Sequence, residues 1–418
     1  MYQTLNRLFG FDPQKHSIRT EIMAGITSFL TMAYILAVNP NIFSALPDMP
    51  NGSVFTATAL AAIIGTLVMA FYAKKPFALA PGMGLNAFFV YTICITMGYS
   101  WQFALTAVLI EGLIFIILTA TRLRNLMLKA IPVSLQRAIG VGIGLFIAFL
   151  GLENSGIIVD SSATLVTMGD ITQGPALLAL AGLFITSALT MGKVPGGMLL
   201  GILVTTLLGL IIHDPATGQA ITQMNGFVSA PVSVAPIFCQ FQWSNIFCAD
   251  MLIVVITLLF MDMFDTMGTI IGVYQSANLH PADKDCEEIP DLDKMFMADS
   301  IATVTGACLG TSTTTTYVES AAGAIQGGRT GLTAFSTAVC FALALFFCPV
   351  FLAIPSAATA SSSESSPMSS AMHFQANSGK SPSPCGYSPS CLSVSTYFYR
   401  GPSPALPLGR GKRLAVRG

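Results

Sequence analysis

Runs of about twenty apolar residues recur along this chain, and nothing constrains its fold more. They fall at roughly 23–43, 54–73, 101–121, 135–153, 174–191, 195–213, 249–274, 296–310 and 332–354. In hydrocarbon every backbone polar group must be satisfied within the protein, so such runs form helices packed as a bundle. Charged residues are only 9% of the chain against 53% hydrophobic, with a mean hydropathy of +0.70. A soluble domain carries about a quarter charged residues. The composition therefore excludes a soluble globular enzyme and a nucleic-acid-binding module, and gives an all-α polytopic membrane protein in a lipid bilayer.

Two further segments are short and interrupted. One is Ala80-Pro81-Gly82-Met83-Gly84-Leu85-Asn86-Ala87-Phe88-Phe89, running to about residue 97. The other is Thr313-Thr314-Thr315-Thr316-Tyr317-Val318-Glu319-Ser320, ending at Gly327-Gly328-Arg329-Thr330-Gly331. Counted as crossings they are third and tenth of about eleven. Lys74, Lys75, Arg122, Arg124, Lys129, Arg137, Lys193, Lys284, Lys294 and Arg329 then share one side with the N-terminus, and Asp48, Asp160, Asp170 and Asp214 the other. The positive-inside rule makes the N-terminal side cytoplasmic. Short, Gly/Pro-broken segments at matching positions of two halves mark a midplane binding site between inverted repeats.

Acids inside apolar runs are the candidate functional groups, because a carboxylate at membrane depth costs about 2.5–3.5 kcal/mol unless it faces a partner or a polar cavity. Glu319 stands out, followed by Asp262 and Asp265, which are three apart and predict one shared helical face. Two acids that close cannot both ionise freely, so one is suited to carrying a proton. Asn86 supplies an amide that donates and accepts, and Phe88 a wall for stacking. Such groups suit a flat, uncharged heterocycle with N–H donors on its edges. Glu319 directly precedes a helix-favouring Ala321-Ala322 stretch, where a helix N-terminus favours negative charge. No cysteine pair has metal-ligand spacing and histidine is scarce, so neither a metal nor another cofactor is expected.

From about Ser356 the apolar periodicity gives way to Ser, Pro and basic residues. This composition predicts a disordered tail over 356–418 and reads as a frame-shifted or otherwise altered terminus.

Asp265-Thr266-Met267-Gly268-Thr269, Thr315-Thr316-Tyr317-Val318-Glu319-Ser320, Gly327-Gly328-Arg329-Thr330-Gly331 and the Ala80–Phe89 segment together resemble the nucleobase:cation symporter-2 superfamily, most closely its purine permease branch. The resemblance covers roughly residues 15–355. It implies a fold of two inverted sets of seven segments, here ending after about eleven. Residues 1–134 and 249–355 would form a core domain and 135–213 part of a gate domain. It also implies import of purine nucleobases by proton symport: hypoxanthine or guanine, with adenine as a third candidate. Glu319, Asp265, Asn86, Phe88 and Tyr317 would bind substrate, and Asp265, Asp262 and Glu319 would couple protons. Thr269 stands where some relatives carry a proton-linked histidine. The implied location is the bacterial inner membrane, and a homodimer is left open. The alternative is a truncated product that keeps the purine site, lacks half of the gate and does not transport. An anion carrier of similar architecture is disfavoured, since Glu319 would repel its substrate.

Overall fold

The computed structural model describes residues 2–359 except 122, 124–141, 143–144, 147, 162–163, 173, 193, 195, 214–217, 225, 245, 278, 280–288 and 290, together with the side chains of 275 and 276. Most of the crossing expected at 135–153, and Arg122, Arg124, Lys129, Arg137, Lys193, Asp214 and Lys284, lie outside the described residues. So does the tail from 360. Residues 356–359 still form a helical turn, with Ala357 and Ala358 buried, so ordered packing runs past the point where the apolar periodicity fades.

Among the described residues, six helical stretches are long and apolar enough to cross a membrane: Ile18–Phe43, Asn51–Ala73, Trp101–Ala120, Gly174–Met191, Ala249–Tyr274 and Gly331–Leu352. The first divides into α2 (Ile18–Met32) and α3 (Ile35–Phe43), following a short amphipathic α1 (Tyr2–Phe9). The second is α4 (Asn51–Val68), which widens into a π-helical turn over Met69–Ala73. Next come β1 (Leu79–Pro81), α5 (Met83–Ala87) with its π-helical continuation Phe88–Thr96, and α6 (Trp101–Ala120). A β2–β3 hairpin (Ile158–Ser161, Leu165–Met168) precedes α7 (Gly174–Met191) and α8 (Gly197–Leu208). The last third holds α9 (Ala249–Ser276), α10 (Leu292–Leu309), β4 (Thr314–Thr316), α11 (Ser320–Ile325), α12 (Gly331–Ala344) and α13 (Cys348–Leu352). Helix α10 falls outside the six because Asp293, Lys294 and Asp299 dilute its hydropathy. It is nevertheless the centre of the bundle, packed on both α4 and α6.

The packing is symmetric under exchange of the two halves. Helix α2 packs on α12 as α9 packs on α6; α4 packs on α12 as α10 packs on α6; α4 and α10 meet each other. Exchanging α2 with α9, α4 with α10 and α6 with α12 returns the same set of contacts. An inverted repeat with a pseudo-two-fold axis between α4 and α10 produces this pattern.

On that axis lie β1 and β4, paired antiparallel with Leu79 opposite Thr316, Ala80 opposite Thr315 and Pro81 opposite Thr314. Extended backbone at membrane depth has to find partners inside the protein. The pair extends outward through Gly82 N–H to the Thr313 carbonyl (3.0 Å) and Tyr317 N–H to the Ala78 carbonyl (3.0 Å). Side chains take the remainder: Ala78 N–H donates to Ser320 Oγ and Leu79 N–H to Thr66 Oγ1, both at 3.0 Å. The β-branched threonine run favours the extended form, and Pro81 sits at a position where the ladder asks for no donor, so its missing N–H leaves no gap.

Candidate functional site

The two broken segments present their side chains around this central pair. Glu319 immediately precedes α11 and is partly open. The fully buried Tyr34, at the break between α2 and α3, donates its hydroxyl to Glu319 Oε1 at 2.6 Å. Thr31 Oγ1 lies 3.3 Å from the Glu319 backbone carbonyl, with the Ser28 carbonyl of its own helix closer at 2.9 Å. Asp265, on α9, is also partly open, and its carboxylate lies within electrostatic reach of Glu319 and Asp299. Gly82 leaves room for β4 beside it: a Cβ built there would sit 2.9 Å from the Thr315 methyl, while Asp265 Oδ2, at 3.6 Å, would be in ordinary contact.

Asn86 is fully buried on α5. Its Oδ1 accepts from the Ser312 hydroxyl, while its Nδ2 has no hydrogen-bond partner among the described residues. Phe88 is half-buried against the apolar cluster that joins α4, α6 and α9. Tyr317 is 6% exposed, and its hydroxyl donates to the Pro81 carbonyl at 2.5 Å. That bond makes Tyr317 a tie between the two strands, and the residue belongs to the buried apolar cluster that also holds Tyr34, Ala78 and Ala80.

Asp262 and Asp265 differ in surroundings despite their spacing. Asp262 is fully buried beneath Thr266, and Asp265 is partly open. Thr266 Oγ1 lies 2.8 Å from Thr315 Oγ1, 3.0 Å from Asp299 Oδ2 and 3.4 Å from Asp262 Oδ1. A hydroxyl has one proton to give. The distances fit Thr315 donating to Thr266 and Thr266 donating to Asp299. Asp299 Oδ1 accepts in addition from the Thr316 backbone N–H at 3.2 Å. A buried carboxylate on α10 thereby holds β4 in place behind Asp265.

Sequence reasoning missed Asp299, and with it Glu111, Glu21 and Tyr34. Glu111 is fully buried on α6 and accepts from Thr313 at 2.8 Å. Glu21, also fully buried, accepts from the backbone N–H groups of Arg329 (3.1 Å) and Thr330 (3.3 Å) and from the Thr333 hydroxyl. The signal that selected Glu319 was present for Asp299 and Glu111, each an acid inside an apolar run. Nothing local marks Tyr34. The Arg329 guanidinium donates to the carbonyls of Ala324, Gly328 and Ala277 and so closes the C-terminal end of α11; it is the Arg329 backbone that meets an acid.

A membrane-embedded bundle with paired broken segments and converging carboxylates defines a polytopic carrier rather than an enzyme. The Permease family model (Xan_ur_permease) matches residues 19–365, and the chain belongs to that family. It is 44% identical over 367 residues to the guanine/hypoxanthine permease PbuG of Bacillus subtilis, covering 85% of this chain and 81% of the relative. It is 38% identical over 357 residues to the adenine permease AdeQ of Escherichia coli, covering 85% and 78%. The guanine/hypoxanthine permease PbuO of Bacillus subtilis is 41% identical over 354 residues, with 83% and 79% covered. Among solved structures, the transmembrane domain of a cyanobacterium bicarbonate transporter, BicA, superposes with a TM-score of 0.61 at 15% identity, covering 85% of this chain and 93% of that one. That likeness is one of fold, and substrate has to be argued from the site.

Proposed function

We propose that this chain imports purine nucleobases, hypoxanthine and guanine first and adenine as a third candidate, together with protons across a bacterial inner membrane. The observation that carries the reading is the pair of partly open carboxylates, Glu319 and Asp265, converging where the two broken segments cross. A carboxylate accepting paired ring N–H groups suits a purine edge. The unpartnered Asn86 Nδ2 offers a donor to a ring nitrogen or carbonyl, and Phe88 a stacking wall. Two acids in reach of each other favour the binding of one proton, which would accompany the substrate. The carboxylates also argue against the bicarbonate chemistry of the BicA likeness, since they would repel an anion. The names of PbuG, PbuO and AdeQ support the same substrate class.

In this reading α2–α6 and α9–α12 form the core that carries the site, and α7 and α8 belong to a gate against which the core moves. The end bearing Lys74, Lys75 and Lys294 faces the cytoplasm together with the N-terminus. Uptake of labelled hypoxanthine in cells lacking their own purine carriers tests the proposal. Saturable uptake, competed by guanine and collapsed by a protonophore, is expected. Uptake insensitive to external pH and to the protonophore would remove proton coupling, and failure of every purine to compete would remove the substrate assignment.

A further inference from the structure

Between α8 and α9 the described residues 218–224, 226–244 and 246–248 pass over one end of the bundle as a strap with no helix or named strand. It is anchored in several places. The Ser229 N–H donates to the Phe346 carbonyl (3.0 Å), the Ser53 hydroxyl to the Ser233 carbonyl (2.8 Å), and the Gln242 N–H to Thr106 Oγ1 (2.9 Å). Ile237 is fully buried beneath it, against Gly310, whose φ of +91° and missing side chain let the strap approach.

In this strap Cys239 is exposed, and its N–H donates at 2.8 Å to the carbonyl of Cys308, near the C-terminal end of α10. A direct backbone hydrogen bond brings two Cα atoms within the roughly 4.4–6.8 Å that a disulfide spans. The pair sits at the far end of α10 from Lys294, and a helix of that length crosses most of the apolar layer.

We propose that Cys239 and Cys308 are an oxidisable pair that forms a disulfide on the outer face, stapling the strap to the helix that leads through Gly310 into β4. The proposal rests on the orientation given under Proposed function, which puts both sulfurs in the oxidising compartment. The oxidant is a disulfide-bearing protein or small molecule. The exposed Cys239 thiolate attacks one of its sulfurs, forming a mixed disulfide and releasing the other sulfur as a thiolate. The Cys308 thiolate then attacks the Cys239 sulfur of the mixed disulfide and displaces the oxidant's second sulfur, so the oxidant leaves as a dithiol that carries the two electrons and takes up the two protons the cysteines gave up. Bridging these positions fixes the strap across the segment that feeds the site.

The test uses the full chain in intact cells, quenched in acid, alkylated with a maleimide and mapped by mass spectrometry without reductant. A linked peptide containing Cys239 and Cys308, resolved into two alkylatable peptides by reductant, is expected. Recovery of both as alkylated thiols before reduction overturns the proposal. In Cys308→Ser the remaining Cys239 should react with a membrane-impermeant maleimide added outside; reaction only in inside-out vesicles would overturn the orientation and the disulfide with it. Hypoxanthine uptake under reducing conditions should be unchanged in Cys239→Ala, which separates failure of this proposal from failure of the transport reading. Reductant should lower the melting temperature of the wild-type chain and leave that of Cys239→Ala unmoved.

Discussion

The Tyr34 hydroxyl donates to Glu319 Oε1 across 2.6 Å, joining the break in the first span to the acid of the second broken segment. The bond fixes one carboxylate oxygen and leaves the other for a ligand. Tyr34→Phe should keep the fold, since the ring stays packed, and should raise the apparent KM for hypoxanthine. The lost bond to a charged acceptor is worth about 1.5–3 kcal/mol, or roughly 10–100-fold. Concentration-dependent uptake would measure it.

Glu319→Gln should reduce purine uptake by at least about 10-fold while membrane expression stays normal, because an amide cannot accept paired N–H groups with the strength of a carboxylate. Uptake at the wild-type rate would take Glu319 out of the site.

Asp299 holds β4 through Thr266 and the Thr316 N–H. Asp299→Ala would leave the Thr316 N–H buried without this acceptor, at about 1–3 kcal/mol, and Thr266 with only the longer 3.4 Å contact to Asp262 Oδ1. Asp299→Asn preserves one acceptor and should be milder. Thermal unfolding in detergent should rank wild type above Asn and Asn above Ala, and an Ala variant as stable as wild type would contradict the bracing role.

Gly323 lets α11 lie directly on α2: a Cβ there would overlap the Ala24 carbonyl and the Ser28 hydroxyl. Gly323→Ala should therefore destabilise the chain by about 1–3 kcal/mol and displace Glu319. Reduced melting temperature and reduced uptake should appear together.

At the N-terminal end of α10, Asp291 receives a 2.8 Å hydrogen bond from Lys294 and lies 3.3 Å from Lys75. The Lys294 bond, more than the Lys75 charge, holds its carboxyl below the usual range. A carboxyl depressed by folding stabilises the protein above its unfolded pKa and loses that contribution as pH falls through the folded one. Since Asp291 is largely exposed, the effect is small and screened. Wild type should lose a little stability below about pH 4 relative to Asp291→Asn, as seen in melting temperatures over that range at low salt.

The sequence by itself determined the class of fold and most of its segments. The apolar runs at 23–43, 101–121 and 174–191 match Ile18–Phe43, Trp101–Ala120 and Gly174–Met191, because burial in lipid demands a length and a polarity that composition reveals directly. It also marked the two broken segments, since Gly, Pro and a threonine run interrupt helices wherever they lie. What it left open was how residues far apart in the chain meet. Asp262 and Asp265 share a spacing yet have different surroundings, because their burial is set by α10 and β4, not by α9. Tyr317 carries the chemistry of a ligand contact, and the register of β1 on β4 commits its hydroxyl to Pro81. Tyr34 gained its place beside Glu319 only when the two inverted halves closed on each other, and Asp299 its place behind Asp265 only when α9 and α10 met through Thr266 within the second half. Local pattern fixes which residues are costly to bury, and the tertiary structure decides which partners meet that cost.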